Sequence, residues 1–168
     1  MLVQLLLQVH LAHSCLSKLT ILSGTRTLYD SGNDVYVPAV ILPPHLVSPI
    51  WLYDPEAKWV WWIADWIAGT FHFVDSFGLA QWAVEKVNTA VLKIVADDYY
   101  KVMFNGETLK DLESGQRQFS RFFEYNLKGK LKGSSAGEYL KNELDVVVET
   151  ENPSHYEGLM YRIEIIFS

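Results

Sequence analysis

Residues 90–106 read AVLKIVADDYYKVMFNG, and this stretch carries the clearest structural signal in the chain. Leu92 and Ile94 alternate with Lys93 and Val95, and this period of two predicts a β-strand. A second alternating run follows at once, with three apolar side chains on one face: Tyr100, Val102 and Phe104. The stretch therefore predicts two consecutive strands.

Asn105 and Gly106 directly follow the second of these strands. Asn-Gly is the strongest short-range signal for a hairpin, because both residues tolerate a positive φ. We expect a tight hairpin turn here, with a positive φ at Gly106.

Alternating runs of the same kind, bounded by turn residues, extend in both directions from residues 90–106. They predict further strands near residues 19–21, 35–42, 59–62, 70–74, 119–127, 144–148 and 159–167. Helical signals are confined to about two turns at 79–87 and one turn at 135–140. Many short strands without a βαβ rhythm predict an all-β fold, an antiparallel jelly-roll β-sandwich of about eight strands.

The alternation also predicts which side chains form the core between the two sheets, since one face of each strand is apolar. The expected core residues are Trp59, Trp61, Phe71, Phe73, Leu92, Ile94, Tyr100, Val102, Phe104, Val146, Val148, Tyr161, Ile163 and Ile165.

Composition restricts the partners of the protein. The 168 residues are 49% hydrophobic and carry a net charge of −6, which suits one packed domain. No cluster of Lys and Arg is present to neutralise phosphates, so nucleic acid is not an expected partner. We assign the sandwich to residues 18–168.

Residues 1–17 form an apolar N-terminal segment that is too short and too polar for a membrane span. Two interpretations stay open: a weak secretory signal, or a segment that packs in an assembly. Cys15 is the only cysteine, which excludes an intramolecular disulfide; it is either a small buried hydrophobe or a link to another chain.

No residue pattern in the chain predicts catalysis, a metal or a cofactor. The five histidines are scattered, and neither a nucleophile elbow nor a glycine-rich phosphate loop occurs. Asp97 and Asp98 are adjacent on an extended chain, so their side chains point apart and favour a structural role at a turn over acid–base work. We predict a protein that is not an enzyme.

Six tryptophans are the unusual feature of the composition. Trp59 and Trp61 share a strand face and are assigned to the core. Trp62 points the other way, and Trp51 and Trp66 lie in predicted loops. These three are the predicted ligand or assembly surface, because exposed aromatic side chains mark binding surfaces.

Four stretches, in this order, match one known pattern. Residues 57–61 read AKWVW, residues 71–77 read FHFVDSF, residues 90–106 are quoted above, and residues 142–165 run from NELDVVV to GLMYRIEI. Together they resemble the galactose-binding-like jelly-roll modules attached to glycoside hydrolases, such as the N-terminal domains of bacterial rhamnosidases. Lys141 departs from the pattern, which usually has glycine there.

The resemblance implies a fold more than a function. The first hypothesis is a non-catalytic structural module, extracellular or on the cell surface, that self-associates as a homo-oligomer or a higher assembly. The alternative is a carbohydrate-binding module that holds a glycan on its loop tryptophans. An enzyme is the third hypothesis, and the missing acid, base and nucleophile argue against it.

Overall fold

The computed structural model describes residues 17–31, 35–62, 69–97, 99–110, 119, 121–136, 138, 140–150 and 157–168. Within these residues two six-stranded sheets form a β-sandwich, and all pairings between strands are antiparallel. The predicted all-β sandwich of the jelly-roll kind is confirmed. The described strands number twelve rather than about eight, because several of them are only two to four residues long.

The first sheet has the strand order β10-β7-β12-β5-β4, and β1 also pairs with β12. Its strands are β1 (Lys18–Leu22), β4 (Val40–Ile41), β5 (Val60–Trp61), β7 (Val87–Asp97), β10 (Phe123–Asn126) and β12 (Gly158–Phe167). The long strands β7 and β12 form its centre.

The second sheet has the strand order β3-β2-β6-β11-β8-β9. Its strands are β2 (Leu28–Asp30), β3 (Tyr36–Pro38), β6 (Gly69–Gly78), β8 (Tyr99–Phe104), β9 (Glu107–Lys110) and β11 (Lys141–Thr150). At its centre β6 and β11 pair over ten residues, from Lys141 opposite Gly78 to Thr150 opposite Gly69.

In the second sheet the core is built by strict alternation along the two central strands. In β6 and in β11 every second residue is buried, and the residues between them face outward. All fourteen side chains predicted for the core are buried. The central strands of the first sheet depart from this period, since 94–97 in β7 and 158–161 in β12 are consecutive buried residues.

Helical structure is minor, as expected. The helix α1 (Gln81–Val84) is one turn where two were predicted, because β7 already begins at Val87. A single 3-10 turn covers Pro44–Leu46. Near residue 135 the backbone N–H of Glu138 donates to the Ser135 carbonyl at 3.1 Å. This bond closes a turn, and no helix is assigned to the described residues of 135–140, where one helical turn was predicted.

The predicted hairpin joins β8 to β9 through Asn105 and Gly106, with φ values of 54° and 82°. Asn105 also ties the turn to its surroundings. Its Nδ2 donates to the Lys130 carbonyl at 2.7 Å, and its Oδ1 accepts the backbone N–H of Glu143 at 2.9 Å. Asn at this position thus both adopts the left-handed backbone and anchors the hairpin to β11.

We predict that Gly106→Val destabilises the domain by about 1–3 kcal/mol, because a β-branched residue is strained at positive φ. No atom lies within 4 Å of the added Cβ, so strain of the backbone is the only cost. Gly78→Val is the matched control, since that glycine also has open space but no positive φ. Equal thermal melts for the two variants would contradict the prediction.

A buried polar network joins the two sheets. The Tyr161 hydroxyl of β12 donates to Asp75 Oδ2 of β6 at 2.9 Å, and the Thr27 hydroxyl lies 2.8 Å from the Tyr161 oxygen. Arg26 Nη2 lies 3.3 Å from Asp75 Oδ1 and donates to the Ser76 carbonyl at 2.7 Å. Asp75 and Tyr161 are almost fully buried, so these bonds satisfy groups that water cannot reach.

Burial raises the pKa of Asp75 above its ordinary value of 3.8, against the opposing effects of the Arg26 charge and the Tyr161 hydrogen bond. Burial, followed by the charge of Asp75, raises the pKa of Tyr161 well above 10.0, so the phenol keeps its proton and acts as the donor. Because the pKa of Asp75 is higher in the folded state, its contribution to stability is complete below its unfolded pKa. That contribution is lost as pH rises through the folded pKa.

We predict that the melting temperature of the wild type, relative to Asp75→Asn, falls as pH rises from about 4 to about 7. Tyr161→Phe should make the dependence on pH steeper than in the wild type, because it removes a bond that favours the ionised carboxylate. Thermal melts at a series of pH values measure both effects. If the melting temperatures of the wild type and Asp75→Asn changed in parallel with pH, the raised pKa of Asp75 would be refuted.

Candidate functional site

Trp51 does not lie on the surface. It is 6% exposed, its ring packs 4.2 Å from the Trp59 ring between centroids, and its Nε1 donates to Asp97 Oδ2 at 2.9 Å. The expectation that a loop position leaves Trp51 exposed is therefore wrong. The loop folds back onto the sandwich, and Gly158 makes room for both rings, since a Cβ there would lie 2.9 Å from Trp59 Cε3.

Asp97 has a structural role at the end of a strand. It ends β7 and accepts the buried indole N–H of Trp51. Asp98 lies outside the described residues, and so do Cys15, the N-terminal segment 1–16 and Trp66.

Trp62 is the one predicted surface tryptophan that the structure describes as partly exposed. Its ring stacks on Phe71 at 5.6 Å with an interplanar angle of 17°, and it lies 5.7 Å from the Tyr29 ring. The indole nitrogen is buried and has no hydrogen-bond partner among the described residues. Trp62 thus borders an aromatic cluster of the core, and its role at a ligand or assembly surface stays a prediction.

An apolar edge, formed by the side chains around β3 and β4, is not among the features predicted from the sequence. We define the apolar edge as Val35, Tyr36, Val37, Val40 and Ile41, which are 36–54% exposed. β3 ends the second sheet and β4 ends the first, so one short segment forms the edge of both. Residues 35–42 contain no charged residue, and that run was the available signal for an exposed apolar edge.

Aromatic side chains lie directly behind this edge. Val37 is opposite Tyr29 in the pairing of β3 with β2, and Val40 is opposite Trp61 in the pairing of β4 with β5. The Trp61 ring lies 4.9 Å from Phe71. The apolar edge is therefore supported by packed rings of the core.

A second surface feature is an open depression of about 350 Å³ at the opposite end of the first sheet, between β7 and the edge strand β10. It is lined by Asn88, Thr89, Val91, Glu124, Tyr125, Asn126 and Lys128. We call it the polar depression. Its lining combines amides, a hydroxyl, a carboxylate and an ammonium group with one aliphatic and one aromatic side chain.

A ladder of charges crosses the outer face of the first sheet towards this depression. Lys18 Nζ and Glu164 Oε1 are 2.7 Å apart, Lys93 Nζ lies 3.3 Å from Glu164 Oε2, and Lys93 Nζ lies 3.4 Å from Glu124 Oε1. The hydrogen bond from Lys18 lowers the pKa of Glu164, opposed by burial. Glu164 is therefore ionised and holds two lysines in place.

The described part of the chain has no feature typical of a metal site or a membrane-spanning helix. No group of three His, Cys, Asp or Glu side chains there is arranged to hold a metal ion. His72 Nε2 lies 2.6 Å from Asp145 Oδ1, a pair on the outer face of the second sheet. No described helix has the length and apolarity to cross a membrane.

Comparisons with known proteins identify the fold. The sandwich is similar to part of a β-glucuronidase from an uncultured Clostridium species, at 10% identity and a TM-score of 0.54, covering 92% of this chain and 30% of that one. It is similar to the β-D-glucuronidase of Dictyoglomus thermophilum at 12% identity and 0.52, covering 92% and 29%. For the β-glucuronidase of Ruminococcus gnavus the values are 11%, 0.53, 90% and 29%.

At these identities the likeness shows the fold alone. The chain has the β-sandwich fold that occurs within these glycoside hydrolases, which confirms the resemblance drawn from the sequence motifs. It spans only about 30% of the length of the enzymes it matches. No family model and no curated protein matches the chain.

Proposed function

We propose that this protein is a non-catalytic structural module that works outside the cell or on its surface and self-associates into a larger assembly. The observation that carries the proposal is the apolar edge, whose five side chains are exposed and lie in a stretch, residues 35–42, that contains no charge. A sheet edge of this kind favours pairing with another chain.

The edge strands β9 and β10 of the sandwich carry charged residues, and this difference from the apolar edge supports the proposal. β9 contains Glu107 and Lys110, and β10 contains Glu124. Charges on an edge strand discourage pairing with another chain, because pairing would bring them out of water. The apolar edge has no such charges, although its two strands are short and Pro38 removes one donor from β3.

Self-association through this edge would bury side chains that are now about half exposed. Burial of apolar surface favours association by roughly 25 cal/mol per Å² before the costs of binding. The N-terminal segment 1–17 supports the same proposal, since its apolar composition suits a second contact between copies.

We predict that the double variant Val35→Lys with Val40→Lys loses the assembly and keeps the fold. Charged side chains at the contact would have to be desolvated, whereas both positions are exposed in the single chain. Sedimentation velocity should show the variant as a monomer, with an unchanged thermal melt. Ile166→Lys is the matched control, because Ile166 is 42% exposed on a different surface.

Deletion of residues 1–16 is a second test of self-association by sedimentation velocity. The shortened protein should stay folded and show a smaller assembled mass. A full-length protein that is monomeric at high concentration would overturn self-association.

The non-catalytic part of the proposal rests on the small share of the enzyme chains that this chain covers and on the missing catalytic pattern in its sequence. We expect aryl β-glucuronides and aryl β-galactosides to be released no faster with the protein than in buffer alone. A colorimetric assay with pure protein measures this release. Turnover that co-purifies with the chain and increases with its concentration would contradict the proposal.

A carbohydrate-binding module is the second candidate. It is supported by the occurrence of this fold within glycoside hydrolases and by the partial exposure of Trp62. A flat ring can stack on the C–H face of a sugar. In this form of the proposal Trp62 and Trp66 hold the glycan, and Trp51 takes no part because it is buried.

A further inference from the structure

We infer that Asn105 is a site of irreversible chemical modification controlled by the hairpin: its amide converts to aspartate or isoaspartate in chains whose hairpin has opened and stays intact in folded ones. Asn105-Gly106 is the only Asn-Gly pair in the chain. The turn joins β8 to β9, and β9 and β3 are opposite edges of the second sheet. This modification is therefore independent of self-association through the apolar edge.

The reaction needs only the side chain of Asn105, the backbone of Gly106 and water. The Gly106 nitrogen attacks Cγ of Asn105, the bond from Cγ to Nδ2 breaks, and Nδ2 leaves as ammonia with the proton of the Gly106 N–H. Water then opens the cyclic imide at either of its carbonyls, which gives aspartate or isoaspartate. Glycine hinders the attack less than any other residue in this position, because it has no side chain.

The folded turn holds the two reacting atoms apart. The φ values of 54° at Asn105 and 82° at Gly106 are typical of a type I′ turn. In such a turn the first central residue has a ψ of about 30°, the mirror image of the type I value. This ψ places the Gly106 nitrogen on the side of the Cα–C bond opposite to Cβ of Asn105, whereas ring closure requires both on the same side. Attack therefore requires the turn to open.

Hydrogen bonds fix the Asn105 side chain in the same unreactive arrangement. Its Nδ2 donates to the Lys130 carbonyl at 2.7 Å and to Asn142 Oδ1 at 3.1 Å. Its Oδ1 accepts the backbone N–H of Glu143 at 2.9 Å, and its backbone N–H donates to the Glu143 carbonyl at 2.9 Å. Asn142 is fully buried, and its amide makes two further bonds, to the backbone N–H and carbonyl of Lys132 at 2.7 Å and 2.9 Å. The Asn105 amide can rotate towards the attacking nitrogen only after its own bonds break.

The product does not fit the place of the amide. A carboxylate has no N–H to donate, so the Lys130 carbonyl and Asn142 Oδ1 would each face a negatively charged oxygen where a donor now lies. Isoaspartate in addition lengthens the backbone within the turn. Loss of a donor to acceptors that water does not reach destabilises the folded state. A chain that is modified while open therefore refolds less completely, and its unfolding becomes irreversible.

The test follows deamidation of the full-length protein in mildly alkaline buffer, by mass spectrometry of the tryptic peptide 102–110. Asn105 is the only asparagine in this peptide. A synthetic peptide of the same sequence gives the rate in the absence of the fold. We expect the folded protein to deamidate at least about tenfold more slowly than the peptide, because only the opened fraction of chains reacts. Urea above the unfolding transition should raise the rate of the protein to that of the peptide.

Three variants separate local protection from overall stability. Asn142→Ala removes one acceptor from Nδ2 and should accelerate deamidation of the folded protein about three- to tenfold, the effect of losing one hydrogen bond. Tyr161→Phe is the matched control, since it removes a hydrogen bond to Asp75 in the core and none at the hairpin. Asn105→Asp carries the carboxylate of the product and still tolerates a positive φ, so its melting temperature should fall below that of the wild type.

Three outcomes would overturn the inference. The first is a folded protein that deamidates as fast as the synthetic peptide. The second is equal acceleration in Asn142→Ala and Tyr161→Phe at equal losses of melting temperature, which would assign the protection to global stability alone. The third is an Asn105→Asp variant that melts and refolds like the wild type, which would separate the modification from irreversible unfolding.

Discussion

The hydrogen bond from Tyr161 to Asp75 links the centres of the two sheets, and the surrounding structure depends on it. A polar pair inside an apolar core restricts the packing, because an arrangement of the sheets that separated Tyr161 from Asp75 would remove a hydrogen bond that water cannot replace there. Ser23 extends the same constraint: its hydroxyl donates to the Lys58 carbonyl at 2.6 Å and accepts the backbone N–H of Tyr161 at 3.1 Å. The end of β1, the approach to β5 and the centre of β12 are thereby held together.

With the centre fixed, the two ends of the first sheet are left with different chemistry. At one end β4 continues directly from β3 and presents side chains without charge. At the other end β10 presents Glu124 and Asn126 beside the polar groups of β7. The two edges of the first sheet therefore differ in charge: the β4 edge is apolar and uncharged, and the β10 edge is polar.

The sequence predicted those features that depend on local pattern. Alternation identified the buried face of each long strand, and Asn105-Gly106 identified the hairpin, because both signals arise from residues close together in the chain. The position of Trp51 was not predictable in this way. It is buried through contacts with the nearby Trp59 and with Asp97 and Gly158, and the last two are distant in sequence. The two surface features were missed for a related reason: which strands become edges is a property of the sheet order, and alternation within a strand does not contain it.

The pairing of the central strands has a consequence for the order in which the chain can fold. β6 pairs with β11, and β7 pairs with β12. In each pair the later strand begins more than sixty residues after the earlier one ends. Contacts between residues so far apart in sequence slow folding, because the loop must close before the pairing is stabilised. During synthesis, β6 and β7 therefore lack these partners until β11 and β12 have been made. We expect the nascent chain to be most prone to aggregation in that interval, because the apolar faces of β6 and β7 are then uncovered.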